Sequence, residues 1–97
     1  MFPGGDEALK KFLAANTKYP ELERSLNIQG KVLVRFVVFE DGHVGDISIV
    51  RSVNKGLDNE AIRVTKLLPN FKPGMKDGQP VRVYYNLPFS FYLTNSK

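Results

Sequence analysis

The chain contains no cysteine, no tryptophan and a single histidine, His43. These absences exclude a disulfide framework and a zinc site built from cysteine and histidine within one chain. The sequence also has no apolar run of about 18 residues, the length that a membrane-spanning helix requires. Its start shows no signal-peptide pattern. We therefore expect a chain that is soluble as given and that holds no metal.

What the sequence does contain is the composition of a small globular domain. Of its 97 residues, 42% are hydrophobic and 25% are charged, which suits one packed core. We expect a single domain over residues 1–97, with residues 1–18 as an N-terminal helical extension and residues 19–93 as the core. The abrupt Met-Phe-Pro-Gly-Gly start is typical of a domain cut from a longer protein.

Positive charge is concentrated at one end of the chain. The net charge is +4, and residues 61–97 carry six basic residues against one acidic residue, a local net charge of +5. Such a basic end suits nucleic acid, an anionic membrane surface or an acidic peptide. Solvated lysines that keep the protein in solution account for it equally well.

The first third of the chain has two helical patterns. Asp6–Ala15 combines strong helix formers with an apolar stripe of Leu9, Phe12 and Leu13, which predicts an amphipathic helix. Tyr19-Pro20 ends that pattern, and residues 21–26 can form one further helical turn.

Two strands and a second long helix are predicted next. Residues 31–39 are almost all β-branched or aromatic, with a core face of Val32, Val34, Phe36 and Val38. Asp41-Gly42 signals a tight turn into a second strand over residues 44–50. Leu57–Leu68 has helical apolar spacing, with Asp58 as the candidate N-cap.

The end of the chain predicts a loop and a long strand. Residues 69–80 hold three prolines and two glycines and are predicted as a loop, and Val81–Leu93 alternates as a strand. Pro88 within it cannot donate to a ladder, which favours an edge strand or a bulge over a central strand. The predicted fold is α+β: a three-stranded antiparallel sheet with two helices packed on one face, the last strand beside the first.

Catalytic patterns are missing. His43 and Asp41 fall together at a hairpin tip, where no pocket would exclude water, so we interpret His43 as an ordinary turn residue. No nucleophile elbow and no glycine-rich phosphate loop is present. We therefore predict a non-enzyme with no catalytic residues and no cofactor.

Two binding functions fit the remaining features. A small basic α+β domain resembles an RNA-recognition module, but residues 31–39 lack the internal glycine of that module's signature and the sheet is one strand short, so we expect no nucleic acid. The last strand is unusually apolar for an exposed edge. It could accept an extended peptide by strand addition, or Pro88 and Arg82 could guard it against pairing.

Seven short motifs in order closely resemble the C-terminal domain of the TonB energy transducers. They are Tyr19-Pro20, residues 30–38 (GKVLVRFVV), Asp41-Gly42, residues 47–52 (ISIVRS), residues 57–61 (LDNEA), residues 71–73 (FKP) and residues 78–81 (GQPV). The match covers residues 19–91 and is most similar to the variety with an extra N-terminal helix. Pro69-Asn70 departs from the family, which often has tryptophan near that place.

The resemblance implies a function and a site. The domain would be the periplasmic end of an inner-membrane-anchored protein, driven through its missing N-terminal region by an ExbB–ExbD complex. It would bind the TonB box, a short peptide of outer-membrane transporters, and transmit energy to them for uptake. The implied binding residues are Val81, Arg82, Val83, Tyr84, Tyr85, Asn86 and Leu87 on the last strand and Asn16, Thr17 and Lys18 before Tyr-Pro.

Three further expectations accompany this resemblance. Pro88 should limit pairing beyond Leu87. Pairing of two such edges would give a homodimer. Similar domains are also fused to membrane sensors or peptidases, so a different peptide and a different envelope protein remain the alternative.

Overall fold

The structure is a computed structural model that describes residues 1–93. Its helices are α1 (Gly5–Asn16), α2 (Glu21–Ser25) and α3 (Lys55–Lys66), and its strands are β1 (Gly30–Val38), β2 (Val44–Arg51), β3 (Gly74–Lys76), β4 (Gln79–Val81) and β5 (Val83–Phe91). The predicted α+β class is confirmed. The helices and the first two strands lie within one or two residues of their predicted bounds, whereas the last third of the chain differs.

The main sheet is antiparallel, with β1 between β2 and β5. The predicted core face of β1 is confirmed, because Val32, Val34, Phe36 and Val38 are all at most 1% exposed. Each such side chain stabilises the fold by about 1.5 to 3 kcal/mol when fully buried. The last strand lies beside the first strand at an edge, as the sequence predicts.

The helices cover this core face. Leu57, Ala61 and Val64 are fully buried, as their spacing along one side of α3 requires. Leu9 and Phe12 of α1 pack against the same core but stay partly exposed. The two long helices therefore form one layer, and the other face of the sheet has no helix over it among the described residues.

The start of α3 corrects one prediction. Asn54, not Asp58, is the N-cap, since its side-chain oxygen accepts the N–H of Leu57 at 3.0 Å. Asp58 lies in the first turn and accepts the N–H of Val53 at 3.1 Å and the hydroxyl of Ser52. The amide oxygen of Asn54 thus caps α3, whereas the carboxylate of Asp58 holds the two residues that precede the cap.

The predicted loop over residues 69–80 and the predicted start of the last strand are both wrong. Residues 74–81 form the hairpin β3–β4, which turns through Asp77 and Gly78 at φ of 52° and 76°. Positive φ at both central residues is the type I′ pattern of two-residue hairpins. Val81 therefore belongs to β4, Arg82 lies between two strands, and β5 covers Val83–Phe91 rather than residues 81–93.

A phenylalanine links the segment after α3 to the core. Phe71 is 4% exposed, and its ring centroid lies 5.6 Å from that of Phe36 and 5.3 Å from that of Tyr85. Its N–H donates to the carbonyl of Gly42 at 2.8 Å. The tip of the β1–β2 hairpin and the Phe71 segment are thus fixed to each other.

Two glycines share a positive φ but differ in how closely the rest of the chain approaches them. Gly42 and Gly78 have φ of 93° and 76°, so alanine costs each about 1 to 2 kcal/mol. A Cβ on Gly42 would lie 2.3 Å from the carbonyl oxygen of Phe71, whereas one on Gly78 would meet no atom within 4 Å. We expect Gly42→Ala to lower the free energy of unfolding by about 1 to 3 kcal/mol more than Gly78→Ala. Urea unfolding of both variants measures this difference, and equal losses would contradict the contact.

Candidate functional site: a free sheet edge

The two edges of the main sheet differ in regularity. The pairing of β2 with β1 shifts register twice, and Asp46 within β2 has φ of 49°. Bulges of this kind protect an edge against further pairing. β5 instead pairs with β1 without any shift, from Gly30↔Phe91 to Val38↔Val83. The outer side of β5 is therefore the straight edge, the one able to accept another strand.

Pro88 shows which backbone groups face that edge. It stands opposite Leu33 in an unshifted ladder, and because proline has no N–H this pair must be a non-hydrogen-bonded one. Peptide groups alternate along a strand, so Tyr84, Asn86 and Ser90 also direct their N–H and C=O groups away from β1. The residues between them bond to β1. The free edge thus offers donors at three residues, with a gap at Pro88.

Side chains of β5 also alternate as the sequence predicts. Leu87 and Phe89 are buried, and the ring of Tyr85 stacks on that of Phe36 at 5.5 Å. Tyr84 lies on the opposite face and is 65% exposed. The edge backbone is therefore held by buried inward-facing side chains, while the outward-facing ones remain accessible.

Arg82 lies just before β5 and beside the turn that ends β1. Its guanidinium carbon is 4.9 Å from the ring centroid of Phe39, and its Nε is 3.6 Å from Glu40 Oε2. The ring of Phe39 also stacks on His43 at 4.5 Å. Arg82 is thus positioned at the entrance to the free edge by an aromatic ring and a weak ion pair.

The Asp41–His43 pair belongs to this exposed turn. The backbone N–H of His43, and then its ring nitrogen, bond to the carboxylate of Asp41 and lower its pKa. The distance from Nδ1 to Oδ1 is 2.6 Å, and both side chains are more than half exposed. Without a water-excluding pocket this is turn geometry, as predicted.

The segment Asn16–Lys18 is anchored to α3 rather than to β5. Glu60 Oε2 accepts the backbone N–H of Lys18 at 2.7 Å, and Arg63 Nη2 donates to the carbonyl of Asn16 at 2.8 Å. Arg63 also holds Glu60 through two hydrogen bonds of 2.8 and 2.7 Å. Burial alone would raise the pKa of Glu60, but the bonds from Arg63 and Lys18 outweigh it, so this pKa is lowered.

Thr17 is the member of this segment that reaches the edge strand. It lines an open groove of about 200 Å³ together with Pro88 and Ser90. Its hydroxyl oxygen is buried and has no hydrogen-bond partner among residues 1–93. The structure therefore brings Thr17 beside the C-terminal half of β5, while the backbones of Asn16 and Lys18 are held by α3.

The ten site residues predicted from the resemblance thus separate into groups. Val83–Leu87 lie on β5, Thr17 flanks it, and Val81 and Arg82 precede it. Sequence reasoning missed the anchor formed by Glu60 and Arg63, although their i, i+3 spacing on a helix was a usable signal. From the apolar stripe of α1, the sequence predicted only an amphipathic helix that packs on the core, and no part in the site.

Residues 1–93 contain no group of three or more side chains that could together hold a metal ion. No helix in the same range is both long enough and apolar enough to cross a membrane.

Comparison with known proteins identifies a family. Residues 15–93 match the family model described as Gram-negative bacterial TonB protein C-terminal. No curated protein sequence gives a significant match.

Solved structures give the same result for the fold. The NMR structure of a Helicobacter pylori TonB C-terminal domain aligns with a TM-score of 0.69 at 22% identity, over 97% of this chain and 89% of that one. A shorter form of that domain gives 0.64 over 93% and 95%. The Pseudomonas aeruginosa TonB C-terminal domain gives 0.64 at 26% identity, over 84% and 82%.

The Glu60 anchor should make stability depend on pH. A lowered pKa means that Glu60 stabilises the fold above its ordinary pKa of 4.5 and loses this effect as the pH falls through the lower folded value. We expect Glu60→Gln to cost about 1 to 2 kcal/mol at pH 7 and almost nothing at acid pH. Urea unfolding at several pH values measures both. Glu21→Gln, at an exposed position, is the control, and a loss that stayed constant with pH would contradict the anchor.

Proposed function

Because the chain belongs to the family of Gram-negative bacterial TonB protein C-terminal domains, we propose that it binds the TonB box of outer-membrane transporters by strand addition to β5. Domains of this family are non-catalytic binding and transducing domains that interact with TonB-dependent transporters and lie in the periplasm. The observation that carries the proposal is that β5 pairs with β1 without a register shift while its outer edge pairs with no other strand among residues 1–93.

The edge has the features that strand addition requires. Tyr84 and Asn86 each present one donor and one acceptor, which gives a short ladder of main-chain bonds. Pro88 keeps its carbonyl but has no donor, so the ladder weakens there. The bound segment is therefore short, and Val83–Leu87 is its main contact on the strand.

Transmission of force follows from the same ladder. A peptide paired with β5 and pulled along the strand loads its hydrogen bonds in parallel, so they resist together. The load passes on to β1, which pairs with β5 over the whole of Gly30–Val38. In the complete protein, an inner-membrane anchor and an ExbB–ExbD complex would supply that force from the proton-motive force.

Two alternatives to this peptide use the same edge. A second copy of the chain could pair with β5 and give a homodimer. If the domain is instead fused to a membrane sensor or peptidase, β5 would bind a different peptide. Sedimentation over a concentration series reports the first. Titration with a TonB-box peptide and with a scrambled peptide of the same composition reports the second.

The donor of Asn86 tests strand addition directly. Its N–H faces the free edge, so Asn86→Pro removes a bond to the peptide without removing one to β1. We expect about tenfold weaker binding of a synthetic TonB-box peptide from a transporter of the same genome. Isothermal titration calorimetry measures the Kd.

Two variants complete that experiment. Asn86→Ala keeps the backbone donor and should bind within about twofold of the parent. Tyr85→Pro removes a bond to β1 opposite Phe36 and should unfold the sheet, so it is no test of binding. A folded Asn86→Pro protein that bound as tightly as the parent would rule out pairing at this edge.

Arg82 should contribute through charge alone. It is half exposed beside the start of β5 and only weakly paired with Glu40. We expect Arg82→Ala to weaken binding of an acidic box peptide about two- to fivefold at low salt, and less at high salt. Lys66→Ala, at an exposed position on α3, is the matched control. A loss independent of salt would show that packing on Phe39, not charge, is what Arg82 supplies.

A further inference from the structure

Helix α1 is held at its two ends, and between them its apolar side packs on the core without becoming fully buried. At its start, Phe2 is 7% exposed and packs its ring on those of Phe71 and Phe12, at 5.4 and 5.8 Å. At its end, the anchor of Glu60 and Arg63 fixes the segment that follows. No residue of α1 itself is buried. The helix is thus positioned without being packed closely against the edge strand.

The space between α1 and β5 is an open groove. Its larger part, about 340 Å³, is lined by Leu9 and Leu13 of α1 and by Leu87 and Pro88 of β5, with Asp6 and Lys10 completing the wall. Leu13 and Pro88 also line the smaller space of about 200 Å³ that contains Thr17. The two spaces therefore follow β5 side by side along its C-terminal half.

We infer that this groove binds apolar side chains of the peptide that is added to β5, and that α1 selects the peptide by those side chains; this inference rests on the proposed function. Alternate side chains of an added strand point toward the helix layer, on the side of the sheet where Leu87 and Phe89 lie. On that side, the end of the peptide that lies beside Leu87 and reaches past Pro88 meets the groove. Its leucine and proline walls favour aliphatic or aromatic side chains over charged ones.

The size of the groove fits this occupant. A dry apolar cavity of about 150 Å³ elsewhere holds a benzene molecule, so 340 Å³ has room for a leucine or an aromatic ring. Main-chain pairing at Tyr84 and Asn86 accepts almost any sequence, so side-chain selection has to come from a second wall, and α1 is that wall.

A size exchange tests the groove. The probe is the TonB-box peptide with alanine, leucine or tryptophan substituted at each position in turn. We expect leucine to bind about tenfold more tightly than alanine at two or three positions spaced two residues apart. Leu9→Trp, which fills the groove, should remove that preference, whereas Lys11→Trp, on an exposed position of the same helix outside the lining, should keep it.

A second variant tests the same groove if the Leu9→Trp protein does not fold. Leu9→Ala enlarges the groove and should shift the preference from leucine to tryptophan at the same peptide positions. If the parent binds every peptide equally, or if Leu9→Ala tightens binding of all peptides alike, α1 selects nothing and the inference is wrong while strand addition stands. If no peptide binds at all, the proposed function itself fails.

Discussion

The ladder between β1 and β5 is the interaction on which the rest of the molecule depends. β1 supplies the most deeply buried side chains, and β5 is attached to it without a register shift over the whole of Gly30–Val38. A one-residue slip would turn every inward side chain of β5 to solvent, so burial of Leu87 and Phe89 fixes the register. The outer edge of β5 is straight because its inner side is bonded in this regular way.

That regularity gives the two edges opposite properties. β2 packs Val44, Ile47 and Ile49 against the core despite its two register shifts, and each bulge makes further pairing harder. Within β5, Pro88 is the residue that hinders pairing at the outer edge. The nitrogen of Pro88 faces that outer edge, so the missing N–H does not interrupt the ladder between β1 and β5. Pro88 therefore indicates an edge strand in the sequence, and in the structure it also shows which backbone N–H and C=O groups of β5 face the free edge.

Much of this arrangement was predictable from the sequence, and the exceptions have physical causes. The predicted core face of β1, with Val32, Val34, Phe36 and Val38 two residues apart, was confirmed, and Pro88 correctly indicated the edge position of β5. The β3–β4 hairpin was not predicted because the prolines on either side of Asp77-Gly78 favour a loop. An Asp-Gly pair predicts a hairpin only when it lies between two strand patterns. Asn54 was missed as N-cap because capping depends on where the first helical turn starts, which propensity locates only to within a few residues.

The position of α1 could not be derived from its own sequence. Its apolar stripe predicts that one side packs on a core, but not that Phe2 before the helix and Glu60 on another helix determine where it lies. These long-range contacts hold both ends of α1, and the residues between them pack on the core without becoming fully buried. A helix supported in this way can form one wall of a groove whose other wall is a free strand edge. A fully packed helix would instead fill that space with its own side chains.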